Sequence, residues 1–264
     1  MDLQLKGKKV FISGSTAGIG FGVAKAFLLE GAEVYINGRS EVSVAQAIAK
    51  LESFAEGVAV KGLVADFADK TSVEQLIQHL PEVDILINNV GIYSSQSFFD
   101  TSDEEWERQH EVNVMSGVRL SRHYLPKMLH KNWGRILFVS SECATLVPAD
   151  LIAYSTTKAA LLAISRGLAQ LTKGSGVTVN AVIPGSTMTE GAQDFLADLA
   201  AKESKTLAQA EADFFSDIRT SSLLQRFAKV EEVANSIVYF SSPLAAATNG
   251  AAIKLDGGSM GGIL

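Results

Sequence analysis

Short apolar strands alternate with helical stretches along almost the whole chain, and the first strand–helix junction is built from glycine. Lys9–Ser13 reads as a buried strand that runs into Gly14-Ser15-Thr16-Ala17-Gly18-Ile19-Gly20 and then into a helix through Leu29, closed by Gly31. Further strands are expected at 33–37, 58–64, 83–87, 135–140, 177–183 and 252–255, with helices at about 41–54, 71–80, 103–131, 154–172 and 230–240. The 103–131 helix is expected to bend near Asn113. Strands alternating with helices specify an α/β fold: a doubly wound parallel sheet of about seven strands with helices on both faces and right-handed crossovers. No linker, repeat or low-complexity tract interrupts the pattern, so 1–264 reads as a single domain.

Composition narrows the function. Apolar residues make up 47% of the 264, enough for a substantial core. A net charge of -6 with scattered Lys and Arg gives no nucleic-acid footprint. No apolar run approaches the roughly 18 residues of a membrane span. The one cysteine, Cys143, cannot form an internal disulfide, and a cytoplasmic setting is expected. His79, His110, His123 and His130 lack the spacing of metal ligands, so no metal site is expected.

The glycine loop suits a phosphate. Glycines let a pyrophosphate approach backbone N–H groups, and the helix N-terminus adds a favourable partial charge. The spacing here is Gly-x-x-x-Gly-x-Gly. A tight turn with no ligand is the competing reading, and the strand before and helix after weigh against it.

Tyr154 and Lys158 lie four residues apart near a helix start, which stacks a phenol and an ammonium on one helical face. A free tyrosine has a pKa of about 10. A fixed positive charge nearby favours the phenolate, so the pair is expected to act as a general acid/base with Lys158 lowering the pKa of Tyr154.

Taken in order, Gly14 to Gly20, Asn88-Asn89-Val90-Gly91, Asn113, Ser141, Tyr154 with Lys158, Pro184-Gly185 and the late Asp256-Gly257-Gly258 resemble the short-chain dehydrogenase/reductase family over nearly the whole chain. Ser13 stands where that family usually has Thr, and Val90 where it usually has Ala. The resemblance implies a Rossmann-like fold and hydride exchange between a nicotinamide dinucleotide and a carbonyl or secondary alcohol. It implies catalytic roles for Asn113, Ser141, Tyr154 and Lys158. Tyr154 would exchange a proton with the substrate oxygen and Ser141 would hydrogen-bond that oxygen. Lys158 would also bind the nicotinamide ribose, and Asn113 would hold a water in a relay to Lys158. Cofactor contacts are implied for Gly14, Ser15, Thr16, Gly18, Ile19, Gly20, Asp66, Phe67, Asn89, Gly91, Tyr154, Lys158, Pro184, Gly185 and Thr189.

NAD-binding relatives usually carry an acid at the end of the second strand, whereas this chain reads Ile36-Asn37-Gly38-Arg39-Ser40. Arg39 is shaped to pair with a 2′-phosphate, and Ser40 and Asn37 are available as further donors, so NADP(H) is expected over NAD(H).

Ile92, Tyr93, Glu142, Ala144, Asp150 and Met188 are expected near a small-molecule substrate, with 186–222 as a possible lid or, alternatively, a surface helical insertion. The Tyr/Lys helix is apolar around its circumference, and relatives pair it across a two-fold axis, which implies a homotetramer or homodimer. Two rivals share the scaffold: a dehydratase or epimerase, and a non-catalytic NADP-binding regulator. The retained tyrosine and lysine speak against the second.

Overall fold

The computed structural model describes residues 1–54, 57 and 59–262. Among these residues the main sheet has seven parallel strands: β1 (Lys9–Ile12), β2 (Glu33–Gly38), β3 (Ala59–Val64), β4 (Ile85–Asn88), β5 (Gly134–Val139), β6 (Val177–Pro184) and β9 (Ala252–Leu255). Their spatial order is β3-β2-β1-β4-β5-β6-β9. Position 58, expected to open the third strand, lies outside the described residues. The connecting helices are α1 (Gly18–Leu29), α2 (Glu41–Glu52), α3 (Lys70–His79), α4 (Asp103–His110), α5 (Ser116–His130), α7 (Ile152–Leu171) and α10 (Val230–Phe240). A single turn, α6 (Cys143–Leu146), sits between β5 and α7.

The central strands are apolar without alternation because both faces are covered. Val10 and Ile12 face a cluster with Phe27, Ile36 and Ile237, supplied by α1, β2 and α10. Between them, Phe11 points to the opposite face and joins Leu120, Tyr124, Phe138 and Leu161 from α5, β5 and α7. The buried Tyr124 hydroxyl is satisfied by the Leu80 carbonyl at 2.7 Å.

The expected long helix at 103–131 is three elements. A π-turn at Glu111–Met115 separates α4 from α5 and carries the buried Asn113. An extra residue in a turn re-aims the side chains around it, and such bulges recur at functional positions. The irregularity expected near Asn113 falls here and takes the form of a π-turn.

Between β6 and α10 the chain makes an excursion of its own. It forms β7 (Thr187–Met188), α8 (Glu190–Glu203), α9 (Leu207–Asp213) and a π-turn at Phe214–Ile218, before β8 (Ala228–Lys229) pairs with β7. Its apolar residues, Leu196, Ala200, Ala210, Phe214 and Phe215, cluster with Phe227 rather than with the two main cores.

Candidate active site

Strand order reverses between β1 and β4, so the loops leaving their carboxyl ends diverge and open a crevice. Ser13 bridges its floor. The Ser13 hydroxyl accepts from the backbone N–H groups of Asn89 and Val90 at 3.0 and 3.1 Å. Asn89 donates back through Nδ2 to the carbonyls of Ser13 and Gly14 at 3.0 and 2.7 Å. Serine thus performs the strand-end tie at this position without the extra methyl group.

Two glycines of the loop are required by geometry. Gly14 adopts φ +61°, and a Cβ there would lie 2.9 Å from Val90 Cα. A Cβ on Gly20 would lie 2.5 Å from Asn89 Nδ2 and 2.6 Å from the Gly14 carbonyl. The N-cap of α1 is Ala17, which supplies no side-chain acceptor, and the first turn carries no acid. Its orphan N–H groups are therefore left for an external anion. One is met from across the crevice: Gly18 N–H donates to Glu190 Oε2 at 3.0 Å. Thr189 packs its methyl against Gly18, and its hydroxyl caps α8 by accepting from Ala192 N–H at 3.3 Å.

A cavity of about 460 Å³ extends from the glycine loop over the ends of β2 and β3. Gly14, Thr16, Arg39, Asp66, Phe67, Asn89 and Gly91 line it, as expected from sequence; Arg108 and Val112 line it as well. Arg39 is exposed and makes no hydrogen bond or ion pair among the described residues. Arg108 is tied to Glu105 by two hydrogen bonds. Nothing in its helical surface spacing marked it as a neighbour of this cavity.

Four residues expected at the cofactor are differently employed. Ser15 is buried and turned inward: its hydroxyl donates to the Ile12 carbonyl at 2.7 Å and accepts from Asn37 N–H at 2.9 Å, and its own N–H donates to the Asn37 carbonyl. Asn37 is buried too, with Oδ1 accepting from Gly14 N–H and Nδ2 donating to the carbonyls of Leu63 and Ala65. It braces β1 against β3 and has no donor to spare for a phosphate. Ser40 caps α2, accepting from Ser43 N–H at 3.2 Å while its hydroxyl donates to Ser43 Oγ. Asp66 turns its carboxylate onto Ala68 N–H at 2.9 Å, the strand-end cap that its position also allows.

A second, smaller cavity of about 190 Å³ adjoins the first, with Asn89 and Gly91 common to both. Ile19, Ser141, Tyr154, Lys158, Pro184 and Gly185 line it. Three of the four expected catalytic side chains, Ser141, Tyr154 and Lys158, line it, and Asn113 stands buried behind the wall. Its Oδ1 accepts from Ile92 N–H at 2.8 Å, and Nδ2 donates to the Ile92 carbonyl at 2.8 Å and to Thr157 Oγ1 at 3.0 Å. The Asn113 side chain therefore fastens the loop after β4 to the helix bearing Tyr154 and Lys158. An exposed helical asparagine, the alternative for this residue type, is excluded by its burial.

Lys158 is buried, and its ammonium donates to the Val139 carbonyl at 3.0 Å. It sits 5.5 Å from the centre of the Tyr154 ring. Desolvation brings its pKa down to about 8. Burial pushes the Tyr154 phenol above its ordinary value, reinforced by Cys143, Tyr93 and Glu142, while the Ser141 hydroxyl pulls the other way. The expected lowering by Lys158 does not appear, because the amine is itself desolvated and donates to a backbone carbonyl. Tyr93 lies edge-on to Tyr154 with ring centres 5.9 Å apart, and is 65% exposed at the mouth of the cavity. Cys143 is buried and its thiol is pushed up by desolvation, so it is no reactive thiolate.

Comparison with known proteins agrees with this geometry. The profile of the short chain dehydrogenases matches residues 8–200, and the chain belongs to that family. An uncharacterized oxidoreductase of Bacillus subtilis, YvaG, is 45% identical over 258 residues, covering 98% of each chain. D-beta-hydroxybutyrate dehydrogenase of Cupriavidus necator is 31% identical, over 97% of this chain and 98% of its own. L-Sorbose reductase from Gluconobacter frateurii, solved with NADPH and L-sorbose, superposes with a TM-score of 0.93 at 29% identity over the full length of both chains. The fold and the oxidoreductase class are thereby established. Among the described residues, no helix is long and apolar enough to cross a membrane.

Proposed function

We propose that this chain is an NADP(H)-preferring oxidoreductase that interconverts a carbonyl and a secondary alcohol, with Tyr154 as general acid/base. The carrying observation is the pair of adjoining cavities: an uncapped helix N-terminus and an unpaired arginine in one, a tyrosine, serine and buried lysine in the other.

The residues fit a dinucleotide phosphate. Gly14 and Gly20 let the loop close tightly at the head of α1, whose first turn offers N–H donors, and Arg39, without a partner among the described residues, stands beside the end of β2, which bears no acid. When bound, the nicotinamide supplies or accepts the hydride. The protein's part is proton transfer and polarisation. In the reducing direction Tyr154 gives its proton to the substrate oxygen, and a raised phenol pKa keeps that proton in place until charge develops there. Ser141 Oγ accepts from Cys143 N–H at 3.2 Å, which holds the hydroxyl beside Tyr154 to donate to the same oxygen. Lys158 stabilises the tyrosinate left behind. Asn113 fixes the relative placement of the β4 loop and α7, the precondition for this alignment.

The excursion at 186–222 forms a cover over the substrate, consistent with its separate apolar cluster. The outer face of α7 exposes Ala159, Ala163 and Gly167 in a row, a flat stripe that suits close pairing with a second copy in a dimer or tetramer; light scattering at micromolar concentration tests it. A cytoplasmic enzyme acting on a small molecule fits all of this.

The function is tested by following NADPH and NADH absorbance against a panel of ketones and alcohols. Its first probes are L-sorbose and D-3-hydroxybutyrate, substrates suggested by the relatives' names. Carbonyl-dependent NADPH oxidation is expected. No turnover with any member of a broad panel contradicts the reading.

A further inference from the structure

Glu142 follows Ser141 in sequence, and the chemistry above makes no use of it. Its side chain is 4% exposed, and its N–H donates to the Pro184 carbonyl at 2.9 Å. Oε1 accepts from Arg219 Nε at 2.9 Å and from Ser186 Oγ at 3.2 Å. Oε2 is buried with no hydrogen-bond partner among the described residues, and lies 2.8 Å from where a Gly185 Cβ would stand. Gly185 itself lines the reacting cavity.

The two donors come from near the opposite ends of the 186–222 excursion. Ser186 is its first residue. Arg219 ends the π-turn that closes α9, with its N–H bonded to the Phe214 carbonyl at 2.9 Å and its guanidinium 5.7 Å from the Phe214 ring. One carboxylate therefore grips both ends of the segment that leaves the sheet, and the backbone carrying that carboxylate also carries Ser141.

Stability alone does not account for such a pair. Burying two charges costs desolvation that their attraction only roughly offsets, and an apolar pair of similar volume is often as stable. What an ion pair adds is one defined geometry, since removing either charge strands the other.

We infer that Glu142 is a positioning residue: through Arg219 and Ser186 it clasps the α8–α9 segment against the turn bearing Ser141, so that the substrate cover and the hydroxyl that meets the substrate oxygen are set together. The catalytic part of this role rests on the oxidoreductase reading above.

The test compares Glu142→Gln, Arg219→Met and the double variant in the full chain with NADPH present, and follows two independent readouts. Backbone hydrogen exchange over 190–218 is expected to quicken by about tenfold in either single variant, and no further in the double, while α5 and α7 stay protected. In carbonyl reduction, with L-sorbose and 2,3-butanedione as probes, kcat/KM is expected to fall by about tenfold in each single variant without adding in the double. The Kd for NADPH should stay within about twofold of the parent, and Arg219→Lys should recover part of the loss. Unchanged exchange in both single variants overturns the clasp. Faster exchange with unchanged kcat/KM overturns the positioning role. A parent chain inert toward every carbonyl probe contradicts the oxidoreductase reading and removes the catalytic role from Glu142, while exchange still decides whether Glu142 holds the segment. Should Arg219→Met fail to fold, Arg219→Lys and Glu142→Gln carry the same comparison.

Discussion

Lys158 Nζ stands 5.5 Å from the centre of the Tyr154 ring and donates to the Val139 carbonyl, not to the phenol. The lysine is buried and has no acidic partner among the described residues, and this desolvation has a consequence for folding that is measurable apart from catalysis. Its folded pKa, about 8, is below the ordinary lysine value. Below about pH 8 folded and unfolded chains both carry the charge, and the folded chain bears the full desolvation penalty. Between about pH 8 and the ordinary value the folded chain has shed a proton that the unfolded chain keeps, so the lysine's contribution to stability rises with pH across that window. Lys158→Met is expected to be more stable than the parent near neutrality, by up to about 3 kcal/mol at roughly 1.4 kcal/mol per pKa unit. That advantage should shrink toward about pH 10. Urea unfolding at the two pH values checks it; a gap that does not change with pH contradicts the assignment.

Arg39 has no partner among the described residues and lines the larger cavity. Arg39→Ala is expected to weaken NADPH binding by about tenfold or more, the scale of one charge-assisted phosphate contact, and to leave NADH binding nearly unchanged. Fluorescence titration of both nucleotides measures it. Equal loss for both, or none for either, contradicts an NADP(H) preference set by this residue.

Glu190 occupies a donor at the N-terminus of α1, where a phosphate oxygen would compete with it. Removing its charge is expected to tighten dinucleotide binding: Glu190→Gln should lower the Kd for NADPH by about threefold, the scale of a helix-terminus charge interaction. The same fluorescence titration reads this, and weaker binding in the variant would show that the carboxylate supports the loop instead.

The parts of this molecule that were legible in sequence are those whose meaning is local. Gly14 to Gly20 needs only a strand before it and a helix after it, and Tyr154 with Lys158 needs only one helical turn. What escaped depends on contacts between distant segments. Ser15 and Asn37 look like phosphate donors until the Ser15 hydroxyl is seen accepting from Asn37 N–H and the Asn37 amide is seen bonding Gly14, Leu63 and Ala65. A break near Asn113 is expected, but not that its amide fastens Ile92 to Thr157, 21 and 44 residues away. The Glu142–Arg219 pair spans 77 residues, and neither partner carries a local mark of the other. The direction of the Tyr154 pKa depends on burial, which spacing along a helix does not report.

In the proposed reaction the Tyr154 hydroxyl delivers the proton in a carbonyl reduction for which the crevice holds the dinucleotide. Tyr154→Phe isolates it, since the substitution removes one oxygen and leaves the ring against Tyr93. The direct measurement is NADPH affinity and carbonyl-dependent NADPH oxidation in the same preparation of this variant. The expected result is a Kd for NADPH within about twofold of the parent and turnover reduced by roughly 10²–10⁴-fold, the contribution of a positioned general acid. Turnover within about threefold of the parent, with binding intact, would contradict it.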